Sequence, residues 1–538
     1  MLKQELKDEL QNWYRQMQNN SDFIPKSKLP QYYQTFRDKF GPEKLQRLDG
    51  DELLITMHER GNRDSLVYWL EFKNDDEFPS VFGGIQGGSA HKFGIFRKKE
   101  TGEWVTGSSN NSREISEKEA IEIARRQRDQ LVKGAELLEA LPENADDAIY
   151  EQLQEDLNRD SPDVADSAWG HKYFSLLFPD KLDDYHREDY QKFHLIRLLQ
   201  EPPEGSGRFI CAGRFVAAAS EMGIPINHLT TLLNKRNGRP YRYWRVELDS
   251  SSQGWESRWD QMYQSGYIAI GWKDLGDLSS IDHSIKGKRR IQDLLLSTYN
   301  ETSGTVKEDV YSFIATMEAK DVVLALDQNT VVGIGRIAGD YYHEPRDHFT
   351  PHRRPVYWYS NERWQLPVGR QSSRNVRRIK VETNHLEIEK RLFASGEIAA
   401  IPHRTQGDSG ALSPIDGIPS KINSVLKRKK QVILHGPPGT GKTYWARHTA
   451  SALASRSWFG KDFADLSAEE KVLIDGQVDK GGAVRLCTFH PAYGYEDFIE
   501  GYRPEKAMLS RWSLPSKRGF SAVSARTREK VLIRTSTW

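Results

Sequence analysis

The sequence predicts a multidomain protein that mixes α+β and α/β architecture: an N-terminal α+β region, a small β-barrel in the middle, and a partial α/β domain at the end. Three observations predict it. The chain has 538 residues, too many for one hydrophobic core, so three or four domains are expected. Near residue 241 the pattern changes from helical spacing to short β-rich runs. Near residue 431 an apolar strand runs through a glycine-rich loop into a helix.

Composition bounds the function classes. Hydrophobic residues make up 37% and charged residues 28%, and Lys+Arg 77 against Asp+Glu 76 leaves a net charge of +1. This is a globular composition, neither disordered nor fibrous, so a nucleic-acid role has to rest on local charge. Two cysteines, Cys211 and Cys487, exclude a disulfide framework and a multi-cysteine zinc site. The charged start, Met1 to Leu6, lacks the apolar run of a signal peptide. No stretch approaches the roughly 20 apolar residues of a membrane helix. A cytoplasmic, reducing location with no membrane partner is expected.

Residues 1–141 read as the α+β domain. Ser65 to Phe72 is rich in β formers and predicts a strand. Phe93–Phe96 and Trp104–Thr106 flank a Thr101-Gly102 turn and predict a hairpin. Ser116 and Glu119 have capping-box spacing. Behind them Ile121, Ala124, Leu131, Ala135 and Leu138 predict a long amphipathic helix. An acidic stretch, Glu143 to Asp166, opens a mostly helical region over 142–240, which ends at the turn Asn237-Gly238-Arg239-Pro240. Residues 241–403 carry the β-rich runs Trp244–Leu248, Tyr267–Ile270, Val322–Leu326 and Val356–Tyr359, punctuated by glycine as a small barrel requires. Residues 404–420 read as a linker, and 421–538 as an incomplete α/β domain.

That last domain opens on the chain's most specific motif. Gln431 to His435 is a short apolar strand, and Thr443 onward reads as a helix. Between them stand Gly436, Pro437, Pro438, Gly439, Thr440, Gly441, Lys442 and Thr443. The glycines allow backbone N–H groups to turn inward around an anion at a helix N-terminus. Lys442 then reaches the β/γ-phosphates and the Thr443 hydroxyl holds Mg²⁺. The cofactor expected is ATP or GTP with Mg²⁺, since phosphate contacts do not read the base.

The wording GPPGTGKT resembles the AAA+ branch of the P-loop families. Thr488 to Pro504 (TFHPAYGYEDFIEGYRP) resembles the McrB-like NTPase subunits of modification-dependent restriction systems. The resemblance implies a nucleotide-driven motor that acts on DNA, assembles as a homo-oligomer when complete, and works with a nuclease subunit of McrC type. It also implies a Walker B strand ending in two acids. Val531-Leu532-Ile533 looks like the start of that strand, but Arg534 to Trp538 follow it. The expectation is therefore a chain truncated before its Walker B acids, binding nucleotide without hydrolysing it, and with no assignable catalytic residue. Lys471–Gly476 lacks the second acid and is set aside.

Three segments of the middle domain, Tyr267 to Leu278 (YIAIGWKDLGDL), Val332 to Tyr342 (VGIGRIAGDYY) and His352 to Trp358 (HRRPVYW), resemble the EVE/YTH/PUA-like group of small barrels. That resemblance implies an aromatic cage for a modified base of DNA, with Trp272 and Tyr341 or Tyr342 as its walls. A flipped base needs stacking surfaces, edge partners and positive charge for the backbone. Trp255, Trp259, Trp272, Tyr341, Tyr342 and Trp358 exceed the rings a core of this size needs, with Trp358 the best core candidate. Arg336 to Lys380 holds ten Lys/Arg and four Asp/Glu, a local charge of +6.

Ala168 to Phe174 resembles regions ahead of McrB-like motors and implies target or partner recognition. Three patterns mislead. Gly407-Asp408-Ser409-Gly410 matches a serine-nucleophile tetrapeptide but sits in the linker, with no partner histidine. Gly333-x-Gly335 mimics a dinucleotide loop without opening a helix. His348 and His352 have metal-like spacing, which Pro351 keeps off a helix. The function expected is a nucleotide-binding subunit of a DNA-restriction system that recognises modified DNA. The alternatives are a base-binding module on an inactive motor, and an AAA+ protein remodeller with no nucleic-acid role.

Overall fold

The computed structural model describes residues 2–73, 81–85, 90–98, 101–108, 110–248, 254–369, 375–395, 417–429, 431–435, 442–458, 461–467, 470–471, 474, 484, 500–502, 505–506, 512–513, 516–518 and 532–535. The chain forms two compact units, Met1–Ala399 and Ala400–Trp538. Both helix and sheet are present, and the largest sheet is curled into a half-barrel.

The first unit opens with helices Gln4–Asn19, Leu29–Phe40 and Gly50–Met57. Ser65 to Phe72 is a helix, Leu66–Glu71, and not the strand its composition predicts. The Ser65 hydroxyl accepts from Tyr68 N–H and caps it, and Leu66, Val67, Trp69 and Leu70 are all buried. A short run buried all round carries no period, so β propensity alone misleads there.

The expected hairpin is present, as β1 (Ile95–Arg97) against β2 (Trp104–Ser108), and β3 (Asn111–Ile115) extends it. Helix Glu117–Glu139 follows, with the Ser116 hydroxyl accepting from Glu119 N–H. The capping box is half made, because the Glu119 carboxylate turns to Arg113 instead of the cap. One apolar core runs from Leu29 to Ala212 and joins these elements to helices Asp147–Asp160 and Ala168–Leu177. Phe40 meets Trp69 edge-on at 5.5 Å, and the Tyr173 hydroxyl donates to the Phe40 carbonyl at 2.8 Å. Each fully buried Phe or Leu of such a core contributes about 1.5–3 kcal/mol.

The large sheet begins with β4 (Tyr243–Glu247) and β5 (Tyr267–Ile270), continues with β6 (Val322–Asp327), β7 (Thr330–Ile337) and β8 (Tyr342–His343), and ends with β9 (His352–Ser360), β10 (Trp364–Gln365) and β11 (Val376–Ile379). Its order is β11-β4-β6-β7-β9-β5, with β10 on β7 and β8 on β9. The path ends at β11 and β5 without closing, so among the described residues it is a half-barrel rather than the expected barrel. Val322 to Leu326 reads as unbroken apolar sequence because both faces are covered. Val323 and Ala325 enter one core, while Val322, Leu324 and Leu326 enter another that includes Ile388 and Leu392 of helix Glu382–Ala394.

Strands β4 and β6 are parallel and adjacent, and parallel neighbours cannot be joined by a tight turn. Residues 248–321 therefore form a crossover, which contains helices Trp255–Gln264, Ile285–Tyr299 and Gly304–Tyr311 as well as β5. Helix Glu382–Ala394 ties the sheet to the helical region. The buried Glu389 carboxylate pairs with the buried Arg197 guanidinium and accepts from the hydroxyls of Tyr241 (2.7 Å) and Tyr243 (2.8 Å).

In the second unit, β12 (Gln431–Leu434) pairs in parallel with the strand Leu532–Thr535, and helices Gly417–Lys429 and Lys442–Trp458 are present. Residues 404–416 of the expected linker lie outside the described residues, and its remaining residues open the helix Gly417–Lys429. Gly407-Asp408-Ser409-Gly410 lies outside them, as does Thr488 to Pro504 apart from residues 500–502. Among the described residues no helix is long and apolar enough to cross a membrane.

Candidate functional site

The crossover and the strand ends enclose a cavity of about 490 Å³, within the roughly 300–1,000 Å³ typical of small-molecule sites. Helix Trp255–Gln264 supplies Trp255, Arg258, Trp259 and Met262; the end of β5 supplies Ala269 to Trp272; helix Gly304–Tyr311 supplies Val306 and Asp309. Glu247, Gln328 and Asn375 come from strand ends and turns, and Phe349 and Thr350 from the loop between β8 and β9. The walls are therefore aromatic, with polar groups at a few points, as orienting a flat ligand requires.

Trp259 lies against β7, where Gly333 makes room for it: a Cβ at that position would sit 2.3 Å from the Trp259 ring. At Gly335 it would meet the Tyr357 carbonyl at 2.6 Å. The Gly333-x-Gly335 pattern is thus a packing device. Trp358 meets Trp259 edge-on at 5.0 Å and packs against the core, as the sequence suggests.

Trp272 has a left-handed backbone, φ 71° and ψ 43°, which costs a residue with a side chain on the order of 1–3 kcal/mol. Its carbonyl accepts from Leu275 N–H at 3.1 Å and from His352 Nε2 at 3.0 Å. Because a carbonyl only accepts, the His352 proton is on Nε2 and the bare Nδ1 takes the Tyr341 hydroxyl proton at 2.7 Å. The Tyr341 oxygen in turn accepts from Leu278 N–H at 3.3 Å. Burial lowers the pKa of His352 and pushes that of Tyr341 up to about 12, which favours the neutral form of each. Tyr299 meets the Trp272 ring edge-on at 5.2 Å and accepts from Asp274 N–H at 2.8 Å.

The three expected cage residues are therefore separated. Trp272 lines the cavity; Tyr341 lies behind it in the relay through His352; Tyr342 stands 38% exposed on β8, away from the lining. Arg258, Asp309, Phe349 and Asn375, which line it, were not singled out from the sequence, because no local pattern links residues brought together from separate loops.

The charge count from Arg336 to Lys380 also divides. Arg353 donates to the Asp347 carboxylate at 2.6 Å, and the buried Arg354 donates to the Phe313 (2.5 Å) and Ile314 (2.7 Å) carbonyls. Arg336 lies over the Tyr241 ring at 4.1 Å. These three cations serve the fold, whereas Arg346, Arg363, Arg378 and Lys380 are exposed.

In the second unit, Lys442 and Thr443 begin the helix that follows β12, with Thr443 exposed; Gly436, Pro437, Pro438, Gly439, Thr440 and Gly441 lie outside the described residues. Among the described residues no group of three or more His, Cys, Asp or Glu side chains could hold a metal ion. His352 is buried in its relay and His348 is exposed, so the pair makes no such site.

The curled sheet and its crossover enclose a cavity with aromatic walls. A family profile described as a domain of unknown function (DUF8426) matches residues 244–379, nearly the whole of this sheet with its crossover. A curated relative, the type IV methyl-directed restriction enzyme EcoKMcrB subunit of Escherichia coli (strain K12), is 34% identical over 122 residues, 21% of this chain and 22% of that protein. The chain thus matches about a fifth of that relative's length. Over that segment it is related to a restriction-system subunit. No solved structure matches.

Proposed function

We propose that this chain is a DNA-reading, nucleotide-binding component of a restriction system that recognises modified DNA. The observation that carries the reading is the cavity of about 490 Å³ walled by Trp255, Trp259 and Trp272. A base turned out of its strand needs flat walls on its faces and polar groups at its edge. Here the tryptophans offer the first, and Glu247, Asp309, Gln328 and Asn375 the second. Arg378 and Lys380, exposed on and beside β11, suit backbone phosphates. Tyr341 and Tyr342 have no part in the cage on this reading; Tyr341 positions Trp272.

The motif from Gly436 to Thr443 binds ATP or GTP with Mg²⁺ in this proposal. Its support is the sequence together with the order of β12 and helix Lys442–Trp458, which sets Lys442 and Thr443 at a helix N-terminus. A nuclease of McrC type cuts the DNA, and ring assembly belongs to the complete motor. Relatedness to the EcoKMcrB subunit supports this assignment.

The test is binding of the full chain to labelled oligonucleotides that are unmodified or carry one 5-methylcytosine, 5-hydroxymethylcytosine or N6-methyladenine. One modification should be preferred. Trp272→Ala should weaken that complex by about fivefold to a hundredfold, from the roughly 1–3 kcal/mol of a base–aromatic stack. Lys442→Ala should abolish nucleotide binding while leaving DNA binding intact. Equal affinity for every oligonucleotide, or a Trp272→Ala chain that binds like the parent, refutes the base-reading site.

A further inference from the structure

We infer that Phe349 is an insertion residue, entering the stack of a DNA duplex in the space that the extruded base leaves. This rests on the reading of the cavity as a base site and adds the substrate class: double-stranded DNA with the target base initially paired.

Phe349 lines the cavity yet is 72% exposed, whereas Phe72, at 38%, is the only other exposed phenylalanine among the described residues. The other rings of the cavity, Trp255, Trp259 and Trp272, are half-buried or buried, so the Phe349 ring stands out beyond the wall they form.

The loop that carries this ring is built to hold it outward. The Asp347 carboxylate accepts from Phe349 N–H (2.8 Å), Thr350 N–H (3.0 Å), the Thr350 hydroxyl (2.7 Å) and Arg353 Nη2 (2.6 Å). Burial opposes ionisation of Asp347, but these bonds outweigh it and hold the carboxyl well below the usual range. The Arg353 guanidinium lies 4.1 Å from the Tyr267 ring, anchoring the clamp to β5, and Glu344 N–H donates to the Pro351 carbonyl at 2.8 Å to close the loop. The apolar tip is thus fixed in place. Arg258, on the helix that walls the cavity, has its guanidinium 5.5 Å from the Phe349 ring, which brings a cation close to where the phosphates of an opened step would pass.

Extruding a base from a duplex leaves a gap, and the lost stacking and pairing oppose the step. An apolar plate beside the cavity mouth fills that gap as the base leaves. A single strand can rotate a base into the cavity without leaving a gap, so the insertion residue matters only for the duplex.

The experiment compares the full chain with its Phe349→Ala and Trp272→Ala variants on two probes, repeated for each modified base: a short duplex carrying one modified base, and the same strand alone. Phe349→Ala should weaken the duplex complex roughly tenfold or more, and leave the single-strand complex unchanged. Phe349→Trp should restore duplex binding. Trp272→Ala should weaken both. An equal loss on both probes with Phe349→Ala makes Phe349 a wall of the cavity and overturns the inference; so does an unchanged duplex complex. If Trp272→Ala changes neither probe, the base site itself is refuted, which is a different result from either failure of Phe349.

Discussion

Replacing Tyr341 with phenylalanine deletes one oxygen from the relay that fastens Trp272. That oxygen donates to His352 Nδ1 at 2.7 Å and accepts from Leu278 N–H at 3.3 Å. The first bond is short and the second long, so most of the loss falls on the buried imidazole. A buried acceptor left without its donor costs about 1–3 kcal/mol, and the lower half of that range fits a site with one strong bond. The same relay holds a left-handed Trp272, whose conformation itself costs on the order of 1–3 kcal/mol. Tyr341→Phe should therefore destabilise the Met1–Ala399 unit by about 1–2 kcal/mol in urea titrations. It should also weaken ligand binding, by less than Trp272→Ala does. Because Tyr341 acts through Trp272, the double variant should bind no worse than Trp272→Ala alone. Tyr342→Phe, one residue along on an exposed position, should stay within about 0.5 kcal/mol of the parent. If Tyr341→Phe keeps full stability and affinity, or if its effect on binding adds to that of Trp272→Ala, the relay does not hold the tryptophan.

Acid should loosen the same unit. Burial lowers His58, His171 and His194 to about 3 from 6.5, so their stabilising effect is complete above 6.5 and is lost as the pH falls toward 3. At about pH 5 the three together cost about 6 kcal/mol. Asp183, raised by burial to about 8, works in the opposite direction, since its protonated form is the one the fold favours as the pH falls. Burial lowers His186, His228, His352 and His385 as well and raises Asp184 and Asp321. The histidines are the larger set, so urea midpoints should fall between about pH 7 and about pH 5, and unchanged midpoints would falsify it. Removing Glu389 leaves Arg197 buried without its carboxylate, so Glu389→Ala should destabilise by about 3–5 kcal/mol, and an apolar replacement of both partners should recover most of that. A Glu389→Ala chain within about 1 kcal/mol of the parent would show that the pair does not join the helices to the sheet.

The sequence made local features legible and left convergent ones hidden. Ser116 and the apolar period behind it located the helix Glu117–Glu139, because capping and spacing act within a few residues. The runs at 244–248, 267–270, 322–326 and 356–359 fell on β4, β5, β6 and β9 for the same reason. Leu66–Glu71 was misread because burial on every side erases the period that separates helix from strand. The cavity was half legible. Trp255, Trp259 and Trp272 stood out as surplus rings, but their company with Phe349, Asp309 and Asn375 depends on five separate segments meeting. The one available cue to Phe349 was an aromatic residue within a charged turn, between Asp347 and Pro351. The charge count misled at Arg353 and Arg354, since a tally cannot tell a cation facing solvent from one that holds a loop or caps buried carbonyls.

The crossover between β4 and β6 bears on how such a protein can change over time. Residues 248–321 supply Trp255, Arg258, Trp259, Trp272 and Asp309, most of what an occupant of the cavity would touch. The ladder β4-β6-β7 beneath is laid down by chain before and after that stretch. Exchange of one contiguous segment could therefore redraw the cavity while leaving that ladder intact. Gly333, which makes room for Trp259, is the scaffold position such an exchange would have to respect.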